Sequence, residues 1–236
     1  LRDSYYAGVP YGRYDHDWLL ENLRPVEQGA SLHLGLHARG SFGFEDYLLS
    51  RHHMFLSVYL HHVPVGYELM LREFHREAPG ELEFPWAIEE YMHCDDVFLQ
   101  VRLRNSRNRW ARRIVERRGW SRLLERADVE TTPGTPEAEP ALEELMEALA
   151  RAGIEALDHT VRGKLSKYFT PSASQPPHSV EPELLVVGEG APTPIEHHAP
   201  LYRRYAGAVN IRRIYVERED RERARRLLRR LGVDAA

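Results

Sequence analysis

One long patterned run restricts the fold more than any other feature. From Ser41 to Glu77 apolar residues recur at helical spacing, at Tyr47, Leu48, Phe55, Val58, Tyr59, Val63, Leu69 and Met70, until Ala78-Pro79-Gly80 ends the pattern. That is roughly ten turns of helix. Pro64 falls inside it and is expected to kink it or to mark a join between two helices. A stripe this long needs other helices to cover it. Shorter helical patterns follow at about 85–93 and 95–103, then at 107–118 and 120–127. Upstream, a Tyr- and Gly-rich turn region, 5–14, leads into a short amphipathic helix that Asp15 or Asp17 can cap. Ser31 to His37 alternates Leu32, Leu34 and Leu36 with His33, Gly35 and His37, the period of a strand.

The pattern changes after a stretch rich in Pro, Thr, Gly and Glu, 131–140, which reads as a linker. Beyond it a helix is expected at 142–152, an extended segment at 161–169, a loop at 172–182 and a short strand at 184–187. Gly188-Glu189-Gly190 reads as a hairpin-like turn, 209–216 as a strand and 218–231 as a closing helix. The expected fold is α+β and mainly α-helical, with a helical part over 1–130, the linker 131–140, and a small mixed α/β region over 141–236.

Composition removes several classes of function. The longest apolar runs are far short of the roughly 20 residues a membrane helix needs, so no membrane association is expected. The single cysteine, Cys94, has no intramolecular partner, which fits a reducing compartment, and a cytoplasmic location is expected. The chain opens at Leu1 in a polar, aromatic stretch, which reads as an internal starting point. Net charge is -4, which gives no global case for nucleic acid. The cations are nonetheless almost all Arg, with Lys only at 164 and 167. Arg is suited to bidentate phosphate and carboxylate contacts, but a GC-rich genome produces the same bias.

Thirteen His residues invite a metal site. His52-His53, His61-His62 and His197-His198 are adjacent pairs, and sequence neighbours do not share a helix face. No His-Glu-x-x-His occurs, so no self-contained metal site is expected. His16-Asp17 reads as a helix N-terminus. There is no Gly-x-Ser-x-Gly elbow, and Asp95 and Asp96 oppose thiolate formation at Cys94. Two constellations remain. Tyr47, Arg51, Phe55 and Tyr59 are spaced i, i+4, so on an α-helix Arg51 and Tyr59 lie about 12 Å apart and within roughly 80° of rotation. That span suits a ligand with a polyphosphate at one end and a sugar or base at the other, and it equally suits a core stripe with one snorkelling Arg. Residues 102–126 carry ten Arg against Glu116 and Glu125, with Trp110 and Trp120 interleaved. This is either a nucleic-acid strip or a solvated helical pair salt-bridged to the acidic stretch 130–147.

Leu1-Arg2-Asp3-Ser4-Tyr5-Tyr6-Ala7-Gly8-Val9 resembles a segment of HD-domain phosphohydrolases of the deoxynucleoside triphosphate triphosphohydrolase kind, in which the pattern is Asp-x-x-Asp-Tyr-x-x-Arg-Asp-x-x-x-x-Gly. Phe44 to Phe55, followed by Val58-Tyr59-Leu60-His61, is similar to that family's long helix. Asp95-Asp96 before Phe98-Leu99 fits the helix after it, and Arg212-Arg213-Ile214-Tyr215-Val216 its C-terminal strand. The resemblance implies the C-terminal half of a metal-dependent phosphohydrolase that cleaves dNTPs to deoxynucleoside and triphosphate. The divalent ion (Mg, Mn, Fe or Zn) would be bound upstream of this chain, with no metal ligand or catalytic residue within it. It further implies that Asp3 binds the sugar 3'-hydroxyl, that Arg51 binds the terminal phosphate, and that Tyr59 packs under the deoxyribose. His61 would match a residue that helps bind an activating nucleotide, although Ser57 replaces its Arg companion. A homo-oligomer, dimer or tetramer, is expected. The alternatives are a non-catalytic nucleotide- or nucleic-acid-binding or assembly module, and an HD phosphohydrolase acting on another phosphoester.

Overall fold

A computed structural model describes residues 1–29, 31–129, 142–164, 184–200 and 208–233. In chain order the elements are helices α1 (Arg2–Tyr6) and α2 (His16–Glu21), strands β1 (Leu23–Gln28) and β2 (Ser31–His37), and helix α3 (Ser41–Met54). A π-helical segment, Phe55–Tyr59, precedes α4 (His62–Glu77), α5 (Ile88–Tyr91), α6 (Asp96–Asn105) and α7 (Arg109–Val115). Strand β3 (Ser121–Val129), helix α8 (Leu142–Arg151) and strands β4 (Ala156–Lys164), β5 (Leu185–Val187), β6 (Thr193–Pro194) and β7 (Ala208–Val216) follow, and α9 (Arg221–Arg230) closes the chain. The fold is α+β, with sheets ordered β1-β2-β5-β6 and β3-β7-β4. No helix among the described residues is long and apolar enough to cross a membrane. The expected linker, 131–140, and the expected loop, 172–182, lie outside the described residues.

The chain divides into two compact units, each built from three separate stretches: 1–60, 127–136 and 161–210 in the first, and 61–126, 137–160 and 211–236 in the second. In the first unit β1 and β2 pair antiparallel from Leu23↔Leu36 to Gln28↔Ser31. Strand β5 then adds to β2 in parallel, and β6 to β5 in antiparallel, so Gly188-Glu189-Gly190 does turn the chain back on itself. Leu36 and Val186 from this sheet bury against Phe44 and Leu48 of α3. Gly35 is fixed by close approach, since a Cβ there would stand 2.3 Å from Val26 Cγ2 and 3.0 Å from the Arg24 carbonyl oxygen.

The second unit has two apolar clusters. Val65, Leu69, Met70 and Phe74 of α4 pack with Leu103 of α6 and Trp110 of α7. Leu145 and Leu149 of α8 and Ala224 and Leu228 of α9 pack with Leu123 and Leu124 of β3 and with Ile214 and Val216 of β7. Strand β7 serves both, because alternate side chains point to opposite faces. Its Tyr215 joins the first cluster and donates a hydrogen bond to the His62 carbonyl at 3.0 Å.

Several sequence expectations are corrected here. The run 120–127, rich in Leu, Glu, Arg and Ala, reads as a helix but forms strand β3. Pairing with β7 and burial of consecutive Leu123 and Leu124 override the helical propensity. Strand β1 has no counterpart in the sequence reading. The pattern 107–118 contracts to Arg109–Val115, because Asn108 caps the helix by accepting from the Trp110 N–H at 2.8 Å. The pattern 85–93 contracts to Ile88–Tyr91. Asp15, not Asp17, is the cap of α2, accepting from the Trp18 N–H at 2.9 Å.

Replacing Gly35 by Ala forces Val26 and the β1 backbone apart, and is expected to destabilise the protein by about 1–3 kcal/mol. A lowered midpoint in chemical denaturation checks this, and an unchanged midpoint refutes the close approach.

Candidate functional site

The helical run 41–77 is broken where Pro64 requires it. Helix α3 ends at Met54 and continues as a π turn, closed by the Leu60 N–H donating to the Phe55 carbonyl at 2.8 Å. Helix α4 then starts afresh at His62 with Pro64 in its first turn, where an N–H has no intrahelical partner to lose. Tyr59 is thus the last residue of the π segment, and its ring is half exposed.

There its hydroxyl reaches Asp3, donating to Oδ2 at 2.5 Å. This contact joins residues 56 positions apart. Asp3, Arg51 and Tyr59 line one cavity of about 330 Å³ in the first unit, together with Tyr14, Tyr47 and Met54. Ser50, beside Arg51, ties α3 to the N-terminal segment by donating to the Arg13 carbonyl at 2.8 Å. Gly12, at φ 78°, brings the backbone close to Met54. Three of the four residues singled out in the sequence therefore share a cavity, and the stripe is divided between packing and exposure. Tyr47 packs on Tyr14 and Phe44, as a core stripe does, whereas Arg51 and Tyr59 are exposed.

The electrostatics of the pair are reciprocal. The hydrogen bond from Tyr59, and then that from Arg2, hold the Asp3 carboxyl below the usual carboxylate range. The same bond, with some burial, pushes the Tyr59 phenol above the ordinary tyrosine value, while Arg51 opposes the rise. Asp3 is therefore an acceptor-only carboxylate at neutral pH, and Tyr59 a donor.

His61, the fourth residue, does not line this cavity. It caps α4, its Nδ1 accepting from the Val63 N–H at 3.4 Å, and its ring lies against that of His62, tilted by 40° with centroids 4.4 Å apart.

The second unit holds a cleft that sequence reasoning located only as a charged run. Its volume is about 440 Å³, and Arg113, Arg117, Arg118, Arg122, Arg218 and Arg221 line it with His62, Trp120 and Glu219. Arg117 has φ 56°, a left-handed conformation usually left to glycine at a helix end. Burial, then nearby Arg122, push the His62 imidazole below its ordinary pKa. The acidic stretch 130–141 lies outside the described residues, and among the described residues the basic run also pairs with carboxylates elsewhere. Arg109 pairs with Glu77 and Glu155, Arg113 with Glu217, and Arg122 with Glu125. Among the described residues no group of three or more His, Cys, Asp or Glu side chains converges to hold a metal ion.

Comparison with known proteins adds a family. The model for the HD associated region matches residues 14–154. The uncharacterized protein YwfO of Bacillus subtilis (strain 168) is 39% identical over 78 residues, which are 33% of this chain and 17% of that protein. A hypothetical protein from Aquifex aeolicus superposes with a TM-score of 0.71 at 22% identity, over 96% of this chain and 55% of its own. A phosphohydrolase from Bacteroides thetaiotaomicron VPI-5482 superposes with a TM-score of 0.58 at 16% identity, over 92% of this chain and 59% of its own. At these identities the likeness is one of fold, and the chain spans little more than half the length of either solved relative.

Asp3→Asn removes the charge that holds the Tyr59 proton, so the Tyr59 phenol is expected to titrate at lower pH than in the wild type. With the phenol raised and the carboxyl lowered, the contact stabilises the folded protein above the unfolded carboxylate pKa and below the unfolded tyrosine pKa, and is lost as pH leaves that window on either side. An ultraviolet titration of the wild type, Asp3→Asn and Tyr59→Phe isolates the Tyr59 step; identical curves for the first two would sink the pairing.

Proposed function

Because the chain belongs to the family of HD associated regions, through residues 14–154, we propose that the intact protein is a metal-dependent phosphohydrolase of the HD superfamily and that this chain forms a wall of its nucleotide pocket. The observation that carries the reading is the cavity in which Asp3, Arg51 and Tyr59 meet. The phosphohydrolase of like fold from Bacteroides thetaiotaomicron supports it. The proposed substrate is a deoxynucleoside triphosphate, cleaved to deoxynucleoside and triphosphate in the cytoplasm. Another phosphoester is the alternative within the same chemistry.

Each residue has a task that its chemistry suits. The Arg51 guanidinium donates paired N–H groups to the terminal phosphate, a charge-assisted contact that fixes one end of the substrate. Asp3 accepts a hydrogen bond from the sugar 3'-hydroxyl at the other end. The Tyr59 ring, pressed against C2', excludes a 2'-hydroxyl sterically, and its own hydroxyl steadies Asp3. Holding both ends orients the scissile bond, which is the part of catalysis that positioning supplies. The described residues include no ligand set for the divalent ion (Mg, Mn, Fe or Zn). Its ligands are proposed to lie upstream of Leu1.

Arg51→Ala in the intact protein is expected to weaken triphosphate binding by about ten- to a hundredfold, the worth of a charge-assisted hydrogen bond. Steady-state kinetics on dNTPs measure it, and unchanged binding and turnover would remove Arg51 from the site. Tyr59→Ala is expected to narrow the preference for deoxyribose over ribose substrates.

A second reading, a non-catalytic nucleotide- or nucleic-acid-binding module, is favoured by the arginine-lined cleft. Counterion release predicts a steep fall in nucleic-acid affinity with rising salt. Arg118→Ala together with Arg221→Ala should flatten that slope. A protein that turns over dNTPs and shows no such salt-dependent binding excludes this reading.

A further inference from the structure

Within residues 86–101 the side chains of Trp86, Ile88, Tyr91, Met92, Val97 and Val101 stand in solvent, with Trp86 fully exposed, Met92 77%, Val97 66% and Val101 50% exposed. Exposed apolar groups favour contacts that cover them, because water around them is then released. Helix α6 carries the part whose charges say what covers it. Leu103 is buried, and Phe98 and Leu99 pack against the same core cluster, which fixes the inward face. The outward face has two rows, each at a spacing of four residues: Val97 and Val101, and beside them Asp96, Gln100 and Arg104. All five are exposed, with Asp96 in the first turn and Arg104 in the last.

We propose that this face of α6 docks on the same face of a second copy of the chain, antiparallel, about a twofold axis near Gln100. A twofold contact must be self-complementary, and this helix is complementary to its own reversed image. Each row then meets itself. The valines of the two copies cover one another, Gln100 faces Gln100, and Asp96 of either copy meets Arg104 of the other. A parallel arrangement sets Asp96 against Asp96 and Arg104 against Arg104, so the charge order excludes it. Antiparallel packing also aligns the two helix dipoles favourably.

The test is sedimentation velocity of the full protein over a concentration series. The wild type dimerises. Arg104→Asp, which sets two acids against each other twice in each dimer, weakens the dimer by about tenfold or more, and so does Asp96→Arg. The double reversal, Asp96→Arg with Arg104→Asp, restores wild-type association. Val97→Asp with Val101→Asp abolishes it while circular dichroism stays unchanged; if that variant unfolds, the charge series decides alone. The proposal is overturned by a wild type that stays monomeric throughout, by association that none of these variants moves, or by a double reversal no tighter than the single ones.

Discussion

Pro64 has no N–H to give, and inside a continuous helix its ring collides with the carbonyl of the residue four before it, Leu60. The helical pattern of 41–77 must therefore break at that residue, and it does: Leu60 ends the π segment and His61 opens α4 in an extended conformation. The two compact units also divide between Leu60 and His61. The features of the first unit's cavity follow from this break. A π turn winds more loosely than an α turn and is frequent at functional sites, and here it leaves Tyr59 as its last residue, in contact with Asp3. His61, freed from helical geometry, turns its ring nitrogen to the Val63 N–H.

The second unit depends on carboxylates placed where helices begin and end. Glu77, at the end of α4, accepts from the Trp110 indole at 2.9 Å, from Arg109 at 3.0 Å and from Asn108 at 3.1 Å. One side chain thereby fixes the start of α7 to the end of α4, and its carboxyl is held below its ordinary pKa chiefly by the Trp110 bond. On the sheet, Arg213 is buried and donates to Glu125 at 2.6 Å, while Arg122 reaches the same oxygen at 2.7 Å. A buried ion pair of this kind adds little net stability, but removing either partner strands a charge. The basic run is therefore partly structural. Arg109 and Arg113 hold elements together, and the cleft presents Arg117, Arg118, Arg218 and Arg221 around Trp120.

Local spacing made part of this visible in advance. The i, i+4 stripe from Tyr47 to Tyr59 placed Arg51 and Tyr59 together, and resemblance added Asp3. Caps were legible where Asp or Asn precedes a helix, as at Asp15. The strand over 209–216 and the helix over 218–231 were legible because their apolar residues keep one period. What escaped was set by partners distant in sequence. Residues 120–127 carry helix-forming side chains, yet β7 recruits them as a strand. Strand β1 contains Pro25 and little apolar alternation, and its pairing with β2 alone defines it. The cleft gathers Arg113 to Arg122 with Arg218 and Arg221, residues that no local pattern connects.

By itself the sequence determined where helices can run and where they must stop, because periodicity, capping and proline stereochemistry act over a few residues. It also determined that the cations available to any site are almost all Arg. Only the tertiary structure decided that Asp3 and Tyr59 touch, that 120–127 is a strand, and that six arginines surround one cleft. Those outcomes depend on which surfaces bury one another, and burial is a property of the whole folded chain.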